Sequence, residues 1–300
     1  MTLHHRRNFI WIFLTLALGL ASCASPSTVQ PVDTPSATST PQPPPTATAE
    51  PMALTVNGEG ITLVEFNAAV ADYINAQAAL GSPVDSATAT SAVIDDLVAQ
   101  TLLAQAARAE GFTLDDAALQ ARIDSLAQQL GGADALEAWK KSHGYSDPAF
   151  QSALKRAAES AWMRDKIISS VPETAEQIHL QQILLYNEDK ARSFLLQLNG
   201  GSDFDELALI ADPVTRGDLG WVPRGYLLNK EIEDIAFNLE VGEHSDVIAT
   251  DVGFHILRIL ARDPARPLSP DARLALQDLA LKNWVEQERG KANIVLAPSP

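Results

Sequence analysis

His179-Leu180-Gln181-Gln182-Ile183-Leu184-Leu185 opens the stretch that decides the fold, and Phe254-His255-Ile256-Leu257-Arg258-Ile259-Leu260 closes it. Both runs are apolar with β-branched residues and read as strands. Between them, Asn187 caps a helix that ends at Gly200-Gly201. Asp203 caps another that ends near Ala211. Gly217 to Val222 reads as a second strand, Lys230 to Leu239 as a helix ended by Gly242, and Val247 to Thr250 as a strand. That strand leads through the Asp251-Val252-Gly253 turn into the last one. The order β-α-α-β-α-β-β is an α+β pattern, a small four-stranded sheet flanked by helices.

Upstream the pattern is almost all helix. Leu54-Thr55-Val56-Asn57-Gly58 is a short strand closed by an Asn-Gly turn. Thr62-Leu63-Val64-Glu65 is a capping box, predicting a helix to about Leu80. Further helices are expected from Thr90 to Glu110, from Thr113 to Leu130, from Asp134 to His143 and from an Asp147-Pro148 start to Pro172. A last helix is expected from Asp271 to Glu288. The domain reading is therefore a helical domain over 52–171, an α+β domain over 172–264, and a C-terminal helix and tail over 265–300, with that helix packing on the helical domain.

Before residue 52 the composition changes twice. Arg6 and Arg7 precede an apolar run from Phe9 to Leu20 that ends in Leu20-Ala21-Ser22-Cys23. This is the layout of a secretory signal, 1–22, and the run is shorter than the roughly 20 residues that cross a bilayer. The segment 23–51 is almost entirely Ser, Thr, Pro, Ala and Gln and reads as a disordered tether. Cys23 is the one cysteine, so no disulfide can form within one chain. The formal charge of −16 becomes −18 when Arg6 and Arg7 leave with the signal. Such an acidic chain argues against nucleic-acid binding.

The Leu-Ala-Ser-Cys ending resembles the bacterial lipobox, which implies lipidation of Cys23 and anchoring at the outer face of the cytoplasmic membrane. The stretch from His179 to Arg262 resembles a parvulin (PpiC-like) peptidyl-prolyl isomerase domain. Four motifs carry the resemblance. They are Gly201-Ser202-Asp203-Phe204-Asp205-Glu206-Leu207-Ala208, Gly217-Asp218-Leu219-Gly220-Trp221, Ala236-Phe237-Asn238-Leu239 with Gly242-Glu243, and Gly253-Phe254-His255-Ile256. The helices from Val56-Asn57-Gly58 to Ile168, with the C-terminal helix, resemble the chaperone part of SurA- and PrsA-like extracytoplasmic foldases.

The resemblance implies isomerisation of Xaa-Pro bonds in unfolded or partly folded secreted polypeptides, with no cofactor and no metal. It implies a proline pocket from Leu228, Ile232, Phe237 and Trp221 beside a hydrogen-bonding network of His255, Gln182, Thr250 and Asp212. Each has a plainer reading: Phe237 as core, His255 as a satisfied strand histidine, Thr250 as a strand-end residue, Asp212 as a turn acid before Pro213. On alternation His255 and Leu257 share one face and Phe254 and Ile256 the other. Gln182 stands where the family carries histidine, and His179, three residues earlier, falls on the opposite face. Arg216 replaces a family glycine, and the loop 211–216 is short. These departures keep an alternative open: a non-catalytic holdase whose parvulin domain only binds peptide. A surface lipoprotein without clients is a third reading. The other histidines, His4, His5, His143 and His244, have no metal-ligand spacing, Ser202 and Ser245 lie in no nucleophile elbow, and Gly58-Glu59-Gly60 is too short for a phosphate loop.

Overall fold

The computed structural model describes residues 50–297. The signal segment, Cys23 and nearly all of the expected tether lie outside the described residues. The chain divides into two units, one running to Ser160 and resuming at Ala292, the other from Ala161 to Lys291.

In the first unit β1 (Met52–Val56) pairs antiparallel with β2 (Glu59–Thr62). The Asn57-Gly58 turn joins them with positive φ at both residues, 52° and 84°. That twist suits a two-residue hairpin. Helices α1 (Leu63–Ala79), α2 (Ser86–Ala109), α3 (Asp116–Leu130), α4 (Ala133–Ser142) and α5 (Asp147–Ser169) follow. Thr62 caps α1 as its capping box predicts, its side chain accepting from the Glu65 N–H. The other starts differ slightly from the sequence reading. Asp85 caps α2, Asp115 rather than Thr113 caps α3, and at α5 the Ser146 hydroxyl accepts from the Ala149 N–H. In each case a nearby short polar side chain, one residue or a few from the expected one, reaches the orphan amide. The core of this unit is the inner face of α2 (Val93, Leu97, Val98, Leu102, Leu103) with Leu54, Val56 and Ile61. Charges are buried beside it. Glu65 of α1 pairs with Arg156 of α5, and Arg108 of α2 bridges Glu59 and Glu159.

The second unit holds a four-stranded sheet of order β4-β3-β6-β5, built from β3 (Thr174–Leu185), β4 (Asp218–Pro223), β5 (Ile248–Thr250) and β6 (Gly253–Pro267). All its pairings are antiparallel. Helices α6 (Glu188–Asn199), α7 (Phe204–Ala211) and α8 (Lys230–Asn238) carry the caps Asn187, Asp203 and Asn229. β3 and β6 run well beyond the apolar segments seen in the sequence. Their extra arms pair through Ala175 and Arg266, and the Gln177 amide donates to the carbonyls of Arg266 and Pro267 at 2.9 and 3.1 Å. Polar cross-strand bonds of this kind leave no apolar periodicity to read. Register slips place the extra residues in β4 and β6, so β3 alternates without interruption.

Each face of the sheet has its own core. On one, α8 supplies Ile232, Ala236 and Phe237 against Ile178, Leu180, Val222, Leu257 and Ile259. On the other, α6 and α7 supply Phe194, Leu198, Phe204 and Leu207 against Ile183, Leu185 and Ile256. Burying each large side chain contributes about 1.5–3 kcal/mol. Helix α9 (Pro270–Arg289) starts at the Ser269 cap. It touches the last turn of α5, the Gln277 amide donating to the Ile168 carbonyl at 3.3 Å, and sets Leu276 and Leu279 over Gly225. The last element among the described residues is β7 (Ile294–Leu296), which pairs with β1 in the first unit's sheet, order β2-β1-β7. The sequence reading named no element in the tail, since three residues are too few to show alternation. Among the described residues no helix is long and apolar enough to cross a membrane.

Candidate functional site

Strand alternation assembles the site. His255 lies directly opposite Leu184 of β3 and Ile248 of β5, Gln182 opposite Leu257, and Thr250 opposite Gly253. Directly paired residues point to the same face, so Gln182, His255 and Thr250 share the α8 side of the sheet. Their side chains meet: His255 Nδ1 is 3.0 Å from Gln182 Oε1, and His255 Nε2 is 3.0 Å from Thr250 Oγ1. The Thr250 oxygen also accepts the Val252 N–H at 3.2 Å, which fixes the turn.

His255 is 4% exposed, and burial pushes its pKa below the ordinary 6.5. The ring is therefore neutral at pH 7, with one donor and one acceptor. Gln182 Oε1 only accepts, which assigns the proton to Nδ1 and leaves Nε2 an acceptor for the Thr250 hydroxyl, whose single proton it shares as a target with the Gly253 carbonyl at 3.2 Å. The result is an uncharged three-residue cluster bordered by Leu257 and Ile248 and, from α8, by the core that holds Ile232 and Phe237. The Arg224 guanidinium lies 4.1 Å from the Phe237 ring centroid. Arg262 donates to the carbonyls of Phe237 and Leu239 at 3.0 and 2.9 Å and so closes the end of α8. The buried Glu233 carboxylate accepts the N–H groups of Gly225 and Leu227, holding the 224–229 loop to α8.

Three expected site residues are not brought into this cluster. Leu228 is 98% exposed, just before the Asn229 cap of α8. Trp221 falls on the opposite face of the sheet: it pairs with His179, stacks on it at 5.4 Å, and carries Arg266 over its ring at 4.1 Å. Strand parity requires this, since the adjacent Val222 points into the α8 core. Asp212 ends α7, and its carboxylate accepts the Val214, Thr215 and Gly217 N–H groups and the Thr215 hydroxyl. These bonds hold its pKa down at about 2 and use its oxygens within its own turn. The turn nevertheless touches the site, since the Gly217 carbonyl accepts the Gln182 N–H at 2.9 Å.

One polar cluster escaped the sequence reading: Gln181, Asp205 and Arg258, on the far side of the sheet from His255. Its signal was present, because Gln181 and Arg258 are polar residues set inside otherwise apolar strands.

The sheet order, the helices on both faces and the His255 cluster define an α+β domain of the parvulin class. Comparison with known proteins agrees. Residues 167–261 match the family model described as PPIC-type PPIASE domain, and residues 45–153 that of the SurA-like N-terminal domain. The chain thus carries a SurA-like N-terminal domain followed by a PPIC-type domain. It is similar to the foldase protein PrsA of Geobacillus sp. (strain WCH70), at 33% identity over 38% of this chain and 44% of that one. It is also similar to the parvulin-like PPIase of Rickettsia bellii (strain RML369-C), at 27% identity over 60% of this chain and 64% of that one. The matched stretch is less than two thirds of either relative. Among solved structures, the peptidylprolyl isomerase PrsA of Bacillus cereus aligns at 19% identity over 80% of this chain and 86% of that one, with a TM-score of 0.42.

Proposed function

We propose that the chain is a peptidyl-prolyl cis-trans isomerase and chaperone, held at the outer face of the bacterial cytoplasmic membrane by a lipid on Cys23, and acting on unfolded or partly folded secreted polypeptides that contain Xaa-Pro bonds. The observation that carries this reading is the His255 bridge between Gln182 and Thr250 beside the α8 core, within a domain matching the PPIC-type model.

Rotation about a peptide bond meets a barrier of about 18–20 kcal/mol because the planar amide is resonance-stabilised. The reaction needs no nucleophile and no metal. It needs surroundings that favour the twisted, less charge-separated amide over the planar one. Ile232 and Phe237 supply the apolar floor for the prolyl ring, and the neutral Gln182–His255–Thr250 cluster supplies a wall that brings no charge to the amide. Asp212 acts here by holding the 212–217 turn, and the exposed Leu228 is available to close over a bound chain. Matches to relatives named foldase and parvulin-like PPIase support the same reading. The tether over 23–51 gives the folded part its reach from the membrane.

One observation favours a second reading, a holdase that binds chains without turning their prolines: Gln182 occupies the position where the family has histidine. A protease-free isomerisation assay on Xaa-Pro peptides separates the two. Acceleration that falls at least about tenfold in His255→Ala, as expected when an aligned active-site group is lost, supports the isomerase. Peptide binding without acceleration selects the holdase. The anchor is tested by labelling cells with a fatty acid: incorporation into the wild-type chain and none into Cys23→Ala is expected, and equal labelling of both overturns it.

A further inference from the structure

The sheet face away from His255 carries a polar network centred on the buried Gln181 amide. Gln181 is 3% exposed. Its Nε2 donates to Asp205 Oδ1 at 2.9 Å and to the Arg216 carbonyl at 2.8 Å. Its Oε1 accepts from Arg258 Nε and Nη2 at 3.1 and 2.6 Å. Arg258 Nη2 also donates to Asp205 Oδ1 at 2.7 Å, and its guanidinium lies 4.5 Å from the Phe204 ring centroid. An arginine only donates and a carboxylate only accepts, so the partners fix the orientation of the Gln181 amide. A buried amide with every donor and acceptor engaged, as that of Gln181 is, rigidifies what it touches.

What this one touches is the turn beneath the site. Arg216 has φ +56° and Gly217 φ +69°, two successive left-handed residues of which only one is glycine. A side chain resists that conformation, so a restraint on the Arg216 carbonyl is needed to hold it. Gly217 then lies flat against the peptide of Gln182. It accepts the Gln182 N–H at 2.9 Å, and a Cβ at this position would stand 1.7 Å from the Gln182 carbonyl oxygen. Gln182 in turn holds His255 Nδ1 at 3.0 Å. The contacts run without a gap from Asp205 and Arg258, through Gln181, Arg216 and Gly217, to Gln182 and His255.

We propose that Gln181, with Asp205 and Arg258, is a positioning network for the isomerase site: by clamping the Arg216 carbonyl it sets Gly217 against Gln182 and so fixes the Gln182–His255 hydrogen bond. This rests on the isomerase reading above, and it assigns a role to residues that touch no substrate. The strained Arg216, which replaces a glycine, makes the clamp necessary in this chain.

The test uses the full chain with Gln181→Leu and Asp205→Ala, read by isomerisation kinetics and by the ring-nitrogen NMR signals of His255. Misplacing the site should lower kcat about tenfold in Gln181→Leu and about threefold in Asp205→Ala, with KM within about twofold of wild type. The His255 ring signals should shift in both variants while circular dichroism stays that of the folded chain. A variant that is folded, keeps wild-type kcat and leaves the His255 signals in place overturns the proposal. If Gln181→Leu fails to fold, Asp205→Ala and Arg258→Lys decide by the same readouts. If the wild-type chain shows no isomerase activity, the isomerase reading fails instead, and the His255 ring signals still report whether the network positions that side chain.

Discussion

The buried ion pairs of the first unit and the neutral cluster at the second unit's candidate site hold polar groups in opposite ways. The first buries charge: Glu65 and Arg156 form an ion pair beneath α1 and α5, and the fully buried Glu159 pairs with Arg108. The second buries neutrality at its candidate site, where His255, uncharged because burial depresses its pKa, is held between an amide and a hydroxyl. Desolvating ions costs several kcal/mol each and is offset only while every partner is present, whereas a neutral network loses about 1 kcal/mol per hydrogen bond. The first unit is thus brittle to loss of a single charge. The neutral cluster loses less with each bond, and being uncharged it suits the proposed reaction, in which no proton moves.

The comparison can be broken most sharply at Arg156. Arg156→Leu leaves the Glu65 carboxylate buried without its partner and should destabilise the first unit by about 3–5 kcal/mol, read by denaturant unfolding. A loss below 1 kcal/mol would show that the pair is effectively solvated. The second unit has one comparably rigid point, Gly217, where a side chain meets the Gln182 carbonyl. Gly217→Ala should cost about 3 kcal/mol and displace Gln182, with isomerase activity falling in parallel. Unchanged activity would mean that the turn gives way without moving the strand.

A gentler probe is pH. The folded His255 titrates below the unfolded value of 6.5, so between the two pKa values the unfolded chain binds the extra proton. The contribution of neutral His255 is therefore complete above pH 6.5 and is lost as pH falls below it. The stability gap between wild type and His255→Gln should be constant from about pH 7 to 9 and shrink below 6.5; a gap that widens on acidification would contradict a ring buried neutral. The smallest effect is expected at Arg216. Arg216→Gly removes the left-handed strain and should raise stability by about 0.5–1 kcal/mol in thermal unfolding, with activity retained because the carbonyl held by Gln181 remains.

Much of this architecture was legible in the chain. The Thr62 capping box, the Asn187 and Asp203 caps and the Asn57-Gly58 turn are local signals whose partners lie within four residues, and each appears as read. Alternation placed His255 and Leu257 on one face and set His179 on the other, stacked on Trp221. The arms of β3 and β6, the β7 strand and the bulges were not legible, because polar cross-strand bonds and three-residue strands leave no periodic trace. At the site, residue type was misleading where direction mattered. Leu228 and Trp221 are apolar residues expected in the pocket, yet Leu228 turns to solvent before the Asn229 cap and strand parity turns Trp221 away. Asp212 is an acid of the neighbouring turn whose oxygens are taken within that turn.

By itself, then, the sequence determined the helices, most of the strands, the caps at Thr62, Asn187 and Asp203, the inward faces of the strands and the two domain classes, because these follow from interactions spanning a few residues and from periods of two and 3.6. Only the tertiary structure decided which residues meet. Gln182 reaches His255 across 73 positions, and Gln181 reaches Arg258 across 77 and Arg216 across 35. A hydrogen bond depends on distance and direction between two particular atoms, and strand register, bulges and left-handed turns set these only once the sheet has closed.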